Sequence, residues 1–153
     1  MLSRDLELRM KRLLKGERET KKFSEKVLNS LNGKNVILLF GELGSGKTTF
    51  TQGIAEALGI KERITSPTFV LSRIYKIKLD KLGEFDQLTH FDLYRIKTAE
   101  EILDLGLKEY LEDTKTLIVI EWPELVDDMI APEKKLSLKF SYGEDDMRFV
   151  EVF

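Results

Sequence analysis

One loop of the sequence carries residues of the types and spacing that bind phosphate. It begins at Gly41 and reads G-E-L-G-S-G-K-T through Thr48, which fits the pattern G-x-x-x-x-G-K-[ST]. Glycine permits backbone angles that residues with a Cβ atom avoid, so the amides around Gly44 and Gly46 can close on phosphate oxygens. The loop follows an apolar run and opens a helical pattern, whose first N–H groups face the same anion. We call residues 41–49 the phosphate loop.

Four side chains of the phosphate loop are predicted to contact a bound nucleotide or its metal ion. Lys47 is placed to reach the β- and γ-phosphates, and the Thr48 hydroxyl is placed to ligate Mg²⁺. Ser45 and Thr49 are positioned to add hydrogen bonds. The predicted cofactors are therefore ATP and Mg²⁺.

A site of this kind also needs a carboxylate near the metal, normally at the end of a second buried strand. Glu121 directly follows the apolar run 117–120 and supplies one. It could hold a metal-bound water or orient the attacking water, and the plain alternative is a surface glutamate at a strand end. Trp122 comes next, where either a nucleotide contact or an ordinary core position fits.

A third cluster, H-F-D-L-Y-R, occupies residues 90–95. Alternation along a strand places His90, Asp92 and Tyr94 on one face, with Phe91, Leu93 and Arg95 on the other. Asp92 is therefore a second candidate to bind the metal or the attacking water. For His90, the only histidine in the sequence, a hydrogen-bonded structural role is favoured over catalysis. Arg95 could pair with a phosphate or with a carboxylate.

The elements that must position these residues can be read from hydrophobic patterning. The predicted strands are 10–14 (an edge strand), 36–40, 69–77, 88–93, 117–120 and a C-terminal hairpin from 136 to 153 that turns at 143–146. The predicted helices are 21–31 with Thr20 as N-cap, 47–58, and one opening at Thr98 that Gly106 breaks. The connection 79–86 is predicted to be a loop. The pattern indicates an α/β fold, a P-loop NTPase-like mixed sheet flanked by helices.

Length and composition favour one domain over residues 1–153, with 1–9 as a variable leader. The sequence has no cysteine, which excludes disulfides and thiolate metal sites, and no apolar stretch long enough to span a bilayer. We therefore expect a cytoplasmic protein without membrane partners. Residues 1–34 carry a charge of +5 and the remainder −7. The basic segment reads as a solvated face or as a contact for RNA or an acidic partner.

Four blocks in this order and spacing resemble the bacterial TsaE (YjeE) ATPases. They are GELGSGKTTF at 41–50, TSPTF at 65–69, HFDLYR at 90–95 and IEWPE at 120–124. The resemblance extends from about Glu17 to the C-terminal hairpin. It implies an ATPase of tRNA threonylcarbamoyladenosine modification at position 37, which acts on the TsaB–TsaD heterodimer and meets tRNA only indirectly.

The resemblance also assigns roles to individual residues. Lys47 binds phosphate, Thr48 and Glu121 serve Mg²⁺, and Asp92 supports hydrolysis. Trp122 lies at the nucleotide-responsive surface. Further positions that the resemblance brings in are the switch-like Ser66 and Thr68, a nucleotide contact at Glu17, and Arg148 near a hairpin arginine found in some members. Read without the resemblance, residues 65–68 form a turn.

Two other classes of P-loop protein remain as alternatives. A small nucleoside or metabolite kinase usually needs a lid with several arginines, whereas the arginines after Thr48 are widely separated in the sequence. A regulatory GTPase would need a guanine motif N-K-x-D, which does not follow the D-x-x-G match at 80–83. The same scarcity of arginine predicts an ATPase that is slow alone and stimulated by a partner, because an arginine finger contributes about 10³–10⁵ in rate.

Overall fold

The apolar runs at 36–40 and 117–120 form neighbouring parallel strands within one seven-stranded sheet. The computed structural model describes residues 8–67, 71–78 and 84–153. The strands are β1 (Arg12–Lys15), β2 (Val36–Phe40), β3 (Ser72–Lys76), β4 (Gln87–Asp92), β5 (Thr116–Glu121), β6 (Lys135–Tyr142) and β7 (Met147–Val152). The helices are α1 (Glu17–Leu28), α2 (Lys47–Ala57), α3 (Ala99–Asp104) and α4 (Leu107–Glu112). Short 3-10 turns lie at 123–125, 127–129 and 132–134.

The strands follow the order β1-β7-β6-β2-β5-β4-β3 across the sheet. Strands β6, β2, β5 and β4 are parallel to one another, and each remaining strand is antiparallel to its neighbour. The predicted α/β class, mixed sheet and C-terminal hairpin are therefore confirmed. Because parallel strands end at the same edge, the residues that follow β2, β4 and β5 converge there, where ligands bind in open α/β sheets.

The central strands are buried on both faces. Ile37 and Leu39 of β2 belong to the core under α1 and α2, whereas Val36 and Leu38 belong to the core under α3 and α4. Each of these side chains is 0% exposed. A strand covered on both faces must be apolar at consecutive positions, which explains the uninterrupted run in the sequence. Each such side chain contributes roughly 1.5–3 kcal/mol on burial.

The first helix begins earlier than the sequence predicts. α1 starts at Glu17 and ends at Leu28, whereas the predicted helix covers 21–31 and is capped by Thr20. Gly16, with φ of 86°, is the residue before the helix, and the Thr20 hydroxyl donates to its carbonyl at 3.1 Å from within the first turn. The exposed first turn carries Glu17 and Glu19, so no apolar periodicity marks it.

Other predicted boundaries hold with local adjustments. β1 is the predicted edge strand. It starts two residues later than predicted and pairs with β7. β3 and β4 form the predicted hairpin, but β3 begins only after Leu71, whose φ of 65° interrupts an extended chain. Residues 69–70, and 79–83 of the predicted loop, lie outside the described residues. Gly106, with φ of 83°, separates α3 from α4 as predicted.

Part of the predicted leader packs against the core. Leu8 falls within the leader and is buried, with only 2% of its surface exposed. Among the residues that the structure describes, no helix has both the length and the apolar character needed to cross a bilayer.

Helix α2 rests against α1 through a close backbone approach at Gly53. A Cβ atom added there would lie 2.9 Å from the Lys21 Cα atom and would also overlap the Ser24 side chain. Lys21 bridges the two helices at the surface, with its Nζ 2.8 Å from Glu56 and 3.1 Å from Glu17. Exposed ion pairs contribute little, so packing contributes more to this contact than the Lys21 ion pairs do.

We expect Gly53→Ala to lower the free energy of unfolding by about 1–3 kcal/mol, although Ala is the better helix former, because overpacking outweighs helix propensity here. Urea denaturation measures this directly. Ser24→Ala removes one of the overlapping groups, so Gly53→Ala should cost less in that background. A gain in stability in the wild-type background would contradict the packing argument.

Candidate functional site

The phosphate loop connects the end of β2 to the start of α2. Its glycines adopt left-handed angles, with φ of 137° at Gly41, 73° at Gly44 and 109° at Gly46. β6 crowds two of them, Gly41 by its backbone and Gly44 by one side chain. A Cβ atom on Gly41 would lie 2.6 Å from the Phe140 carbonyl oxygen, and one on Gly44 would lie 3.1 Å from the Tyr142 hydroxyl.

Lys47 is the first residue of α2 and is only 5% exposed. Its Nζ donates to the carbonyl oxygen of Gly41 and to that of Glu42 at 3.1 Å. The same atom lies 3.9 Å from the centroid of the Trp122 ring. Burial lowers the pKa of the Lys47 ammonium, and the nearby carboxylates, first that of Glu121, oppose this effect.

The two predicted carboxylates meet at the ends of adjacent strands. Asp92 of β4 is directly opposite Glu121 of β5 in the parallel register. Glu121 is 2% exposed, and its Oε1 accepts a hydrogen bond of 3.2 Å from the Thr48 hydroxyl. Asp92 accepts from the Ser66 hydroxyl and from the Tyr94 amide at 3.0 Å. The structure thus brings the phosphate loop, both carboxylates and Ser66 together.

His90 is buried behind Glu121. Its Nε2 lies 2.8 Å from the Glu121 Oε2, and its side chain is 0% exposed. His90 therefore has the hydrogen-bonded role that the sequence favours, but the sequence does not predict Glu121 as its partner. The partner depends on the β4–β5 register, in which His90 pairs with Val119 and lies diagonally from Glu121.

The predicted alternation along 90–95 stops at Asp92, where β4 ends. The Tyr94 amide donates to the Asp92 side chain, which turns the chain out of the sheet. Phe91 and Leu93 are buried in the opposite core as predicted. The expectation that Arg95 shares their face is wrong, because Arg95 lines the same cavity as Asp92.

Trp122 is a half-buried residue of the site, in contact with the α3–α4 core, and not simply an interior side chain. Its backbone is left-handed, with φ of 57°, and its amide donates to the Leu39 carbonyl at 3.2 Å. Its ring packs against Tyr94 with centroids 4.9 Å apart. The left-handed turn places the indole between Tyr94 and the Lys47 ammonium.

These residues surround a cavity of about 380 Å³. All the predicted site residues line it except Gly41 and Ser45, and Ser66 also does. Glu17 does not; it contacts Lys21 on α1. Arg148 lies at the outer side of the loop, where its Nε donates to the Gly44 carbonyl at 3.3 Å. Thr68 lies outside the described residues.

The donors of the loop suit a phosphate group. The Ser45 hydroxyl is buried without a hydrogen-bond partner in the described part of the chain, so its proton is available to an anion's oxygen. Thr48 and Glu121 offer two adjacent oxygens to a cation. Mg²⁺ is commonly held by one or two protein oxygens together with phosphates. Residues 8–67, 71–78 and 84–153 contain no cluster of three His, Cys, Asp or Glu suited to a metal.

Comparison with known proteins gives a consistent result. The model of the family described as "Threonylcarbamoyl adenosine biosynthesis protein TsaE" matches residues 14–150. The chain is 40% identical to the tRNA threonylcarbamoyladenosine biosynthesis protein TsaE of Rickettsia typhi, over 78% of each chain. The protein of that name from Bacillus subtilis is 35% identical, over 85% of this chain and 76% of the relative.

A solved structure is also similar. The crystal structure of Bacillus subtilis YdiB superposes with a TM-score of 0.66 and 27% sequence identity, and the match covers 94% of this chain and 83% of the other.

The buried Lys47 charge leads to a prediction about stability. Its folded-state pKa is below the unfolded value, so protonated Lys47 destabilises the fold, and this penalty disappears as pH rises toward about 10.5. We expect Lys47→Met to have a higher free energy of unfolding than the wild type at pH 7. The difference in free energy between the two proteins should be smaller at pH 10. Urea denaturation at both pH values measures this, with the exposed Lys139→Met as control. A pH-independent difference would contradict the assigned cause.

Proposed function

Since this chain belongs to the TsaE family of threonylcarbamoyl adenosine biosynthesis proteins, we propose that it acts there as a Mg²⁺-dependent ATPase. Its role in the biosynthesis of threonylcarbamoyladenosine in tRNA follows from family membership. The observation that carries the ATPase proposal is the buried Glu121 carboxylate, hydrogen-bonded to Thr48 of the phosphate loop. This pairing joins a candidate metal ligand to a phosphate-binding loop.

Each residue has a distinct part in the proposed reaction. Lys47 exchanges its present carbonyl partners for the β- and γ-phosphate oxygens of ATP. Thr48 and Glu121 hold Mg²⁺, which when bound neutralises charge on those phosphates. Gly41, Gly44, Gly46 and the side chains of Ser45 and Thr49 complete the phosphate contacts, and Trp122 borders the nucleotide.

Asp92 is proposed to position the attacking water. Its carboxylate lines the cavity beside Glu121, and its Ser66 and Tyr94 partners hold it in place. Ser66 lies between α2 and β3, in a segment that the structure describes as far as residue 67. A movement of this segment would change the orientation of Asp92, so the segment is suited to sense the state of the γ-phosphate.

We further propose that hydrolysis is slow in the isolated protein and that the TsaB–TsaD heterodimer raises its rate. Although they are far apart in the sequence, Arg95 lines the cavity and Arg148 contacts the outer side of the phosphate loop. Arg148, however, donates to the carbonyl oxygens of Gly44, Asp145 and Met147, which holds its guanidinium against the protein. Contact with tRNA is proposed to be indirect.

Glu121→Gln tests the metal-binding carboxylate. We expect kcat for ATP hydrolysis to fall by about a hundredfold or more, because the amide lacks the negative charge that would hold Mg²⁺ beside the phosphates. Glu124→Gln is the matched control, since Glu124 is exposed and only three residues away. Steady-state phosphate release measures both variants. Equal activity of Glu121→Gln and wild type would refute the assigned role.

Stimulation by TsaB–TsaD tests the second part of the proposal. Phosphate release by the isolated protein is expected to be slow and to rise when the heterodimer is added, by as much as about 10³–10⁵-fold if the partner supplies an arginine. Rapid turnover that the heterodimer leaves unchanged would contradict it. Transfer of phosphate to a small metabolite would instead support a kinase.

A further inference from the structure

We propose that His90 is a positioning residue that fixes the Glu121 carboxylate so that one oxygen remains directed at the metal. The inference rests on the proposed function, because it concerns the use that Glu121 makes of Mg²⁺. His90 is a buried titratable side chain that the proposed hydrolysis does not otherwise employ, and it contacts a residue that the hydrolysis does employ. It contacts neither the cavity nor solvent, so it can act only through its neighbour.

The two oxygens of Glu121 have different partners. Oε2 lies 2.8 Å from His90 Nε2, and Oε1 lies 3.2 Å from the Thr48 hydroxyl. A carboxylate at the end of a side chain rotates about its last bond, and the donor behind it selects one orientation. His90 therefore occupies the oxygen that faces the interior, and the other oxygen is presented beside Thr48. When a residue that hydrogen-bonds to a metal ligand is removed, metal affinity commonly changes by about 10–100-fold.

The surroundings of His90 determine which ring nitrogen matters. An ionised carboxylate only accepts hydrogen bonds, so Nε2 must carry the proton that it donates to Glu121. Nδ1 is buried and has no hydrogen-bond partner among the described residues. All of the orienting effect therefore comes from Nε2, and a replacement needs a donor at that position alone.

Two amide replacements separate this role from simple packing. Gln carries its amide nitrogen as many bonds from Cα as His Nε2, whereas Asn carries its nitrogen only as far as Nδ1. His90→Gln should therefore retain the donor to Glu121, and His90→Asn should lose it. Thr89→Val is a control in the same strand, because Thr89 is 0% exposed and its hydroxyl has no partner in the described part of the chain.

The measurement is binding of the non-hydrolysable analogue AMP-PNP by calorimetry, in EDTA and across a Mg²⁺ titration. For His90→Asn, we expect affinity in EDTA to stay within about twofold of wild type, while the Mg²⁺ concentration for half-maximal tightening rises about 10–100-fold. His90→Gln and Thr89→Val should resemble wild type. Wild-type Mg²⁺ dependence in His90→Asn, or an equal loss in both His90 variants with folding intact, would overturn the inference.

The wild-type protein provides a second readout that needs no variant to fold. His90 is the only histidine of the chain, so its ring nitrogens give unambiguous ¹⁵N signals. We expect Nε2 to carry a proton at pH 7, and an Nε2 without a proton or a tautomer average would overturn the inference. Failure of the proposed function is distinguishable: wild-type affinity for AMP-PNP would then not respond to Mg²⁺ at all, and the inference would fall with it.

Discussion

The Glu121 carboxylate is inside the protein, and much of the site is arranged to satisfy it. Moving an unpaired carboxylate into the interior costs several kcal/mol, so a buried one requires hydrogen-bond donors. His90 donates from β4 and Thr48 from the first turn of α2, at 2.8 Å and 3.2 Å. These two contacts tie the end of β5 to the neighbouring strand and to the phosphate loop. One side chain thus links the elements that carry the proposed chemistry.

A second constraint is the balance of charge around Lys47. The ammonium is buried, which disfavours its charge, and the carboxylates of Glu121 and Asp92 favour it. The Trp122 ring face and two backbone carbonyls provide the remaining electron-rich surroundings. These partners are weak compared with a phosphate, so under the proposed function their exchange for phosphate oxygens would be favourable. The burial that disfavours the Lys47 charge would then also strengthen its attraction to a bound anion.

The sequence predicts the fold well where the signal is local. The double-sided burial of β2 and β5 appears as apolar runs, and the phosphate loop as a spaced glycine motif. Features that depend on how strands pair are absent from local patterns. The contact between His90 and Glu121 needs the β4–β5 register, and the position of Arg95 needs the turn that Asp92 makes. The sequence does not predict the start of α1, because the first turn of this helix is exposed and carries no apolar pattern.

Packing restricts the glycines of the phosphate loop independently of the proposed phosphate contacts, most strongly at Gly41. Gly41 lies so close to the Phe140 carbonyl that any side chain would force β6 away, and Gly44 lies beside Tyr142. Both neighbours belong to β6, and Arg148 of β7 donates to the Gly44 carbonyl. The C-terminal hairpin therefore supports the loop from outside while the central strands support it from beneath. A loop held on both sides keeps its amides in place before an anion arrives, which reduces the ordering that binding must otherwise bring about.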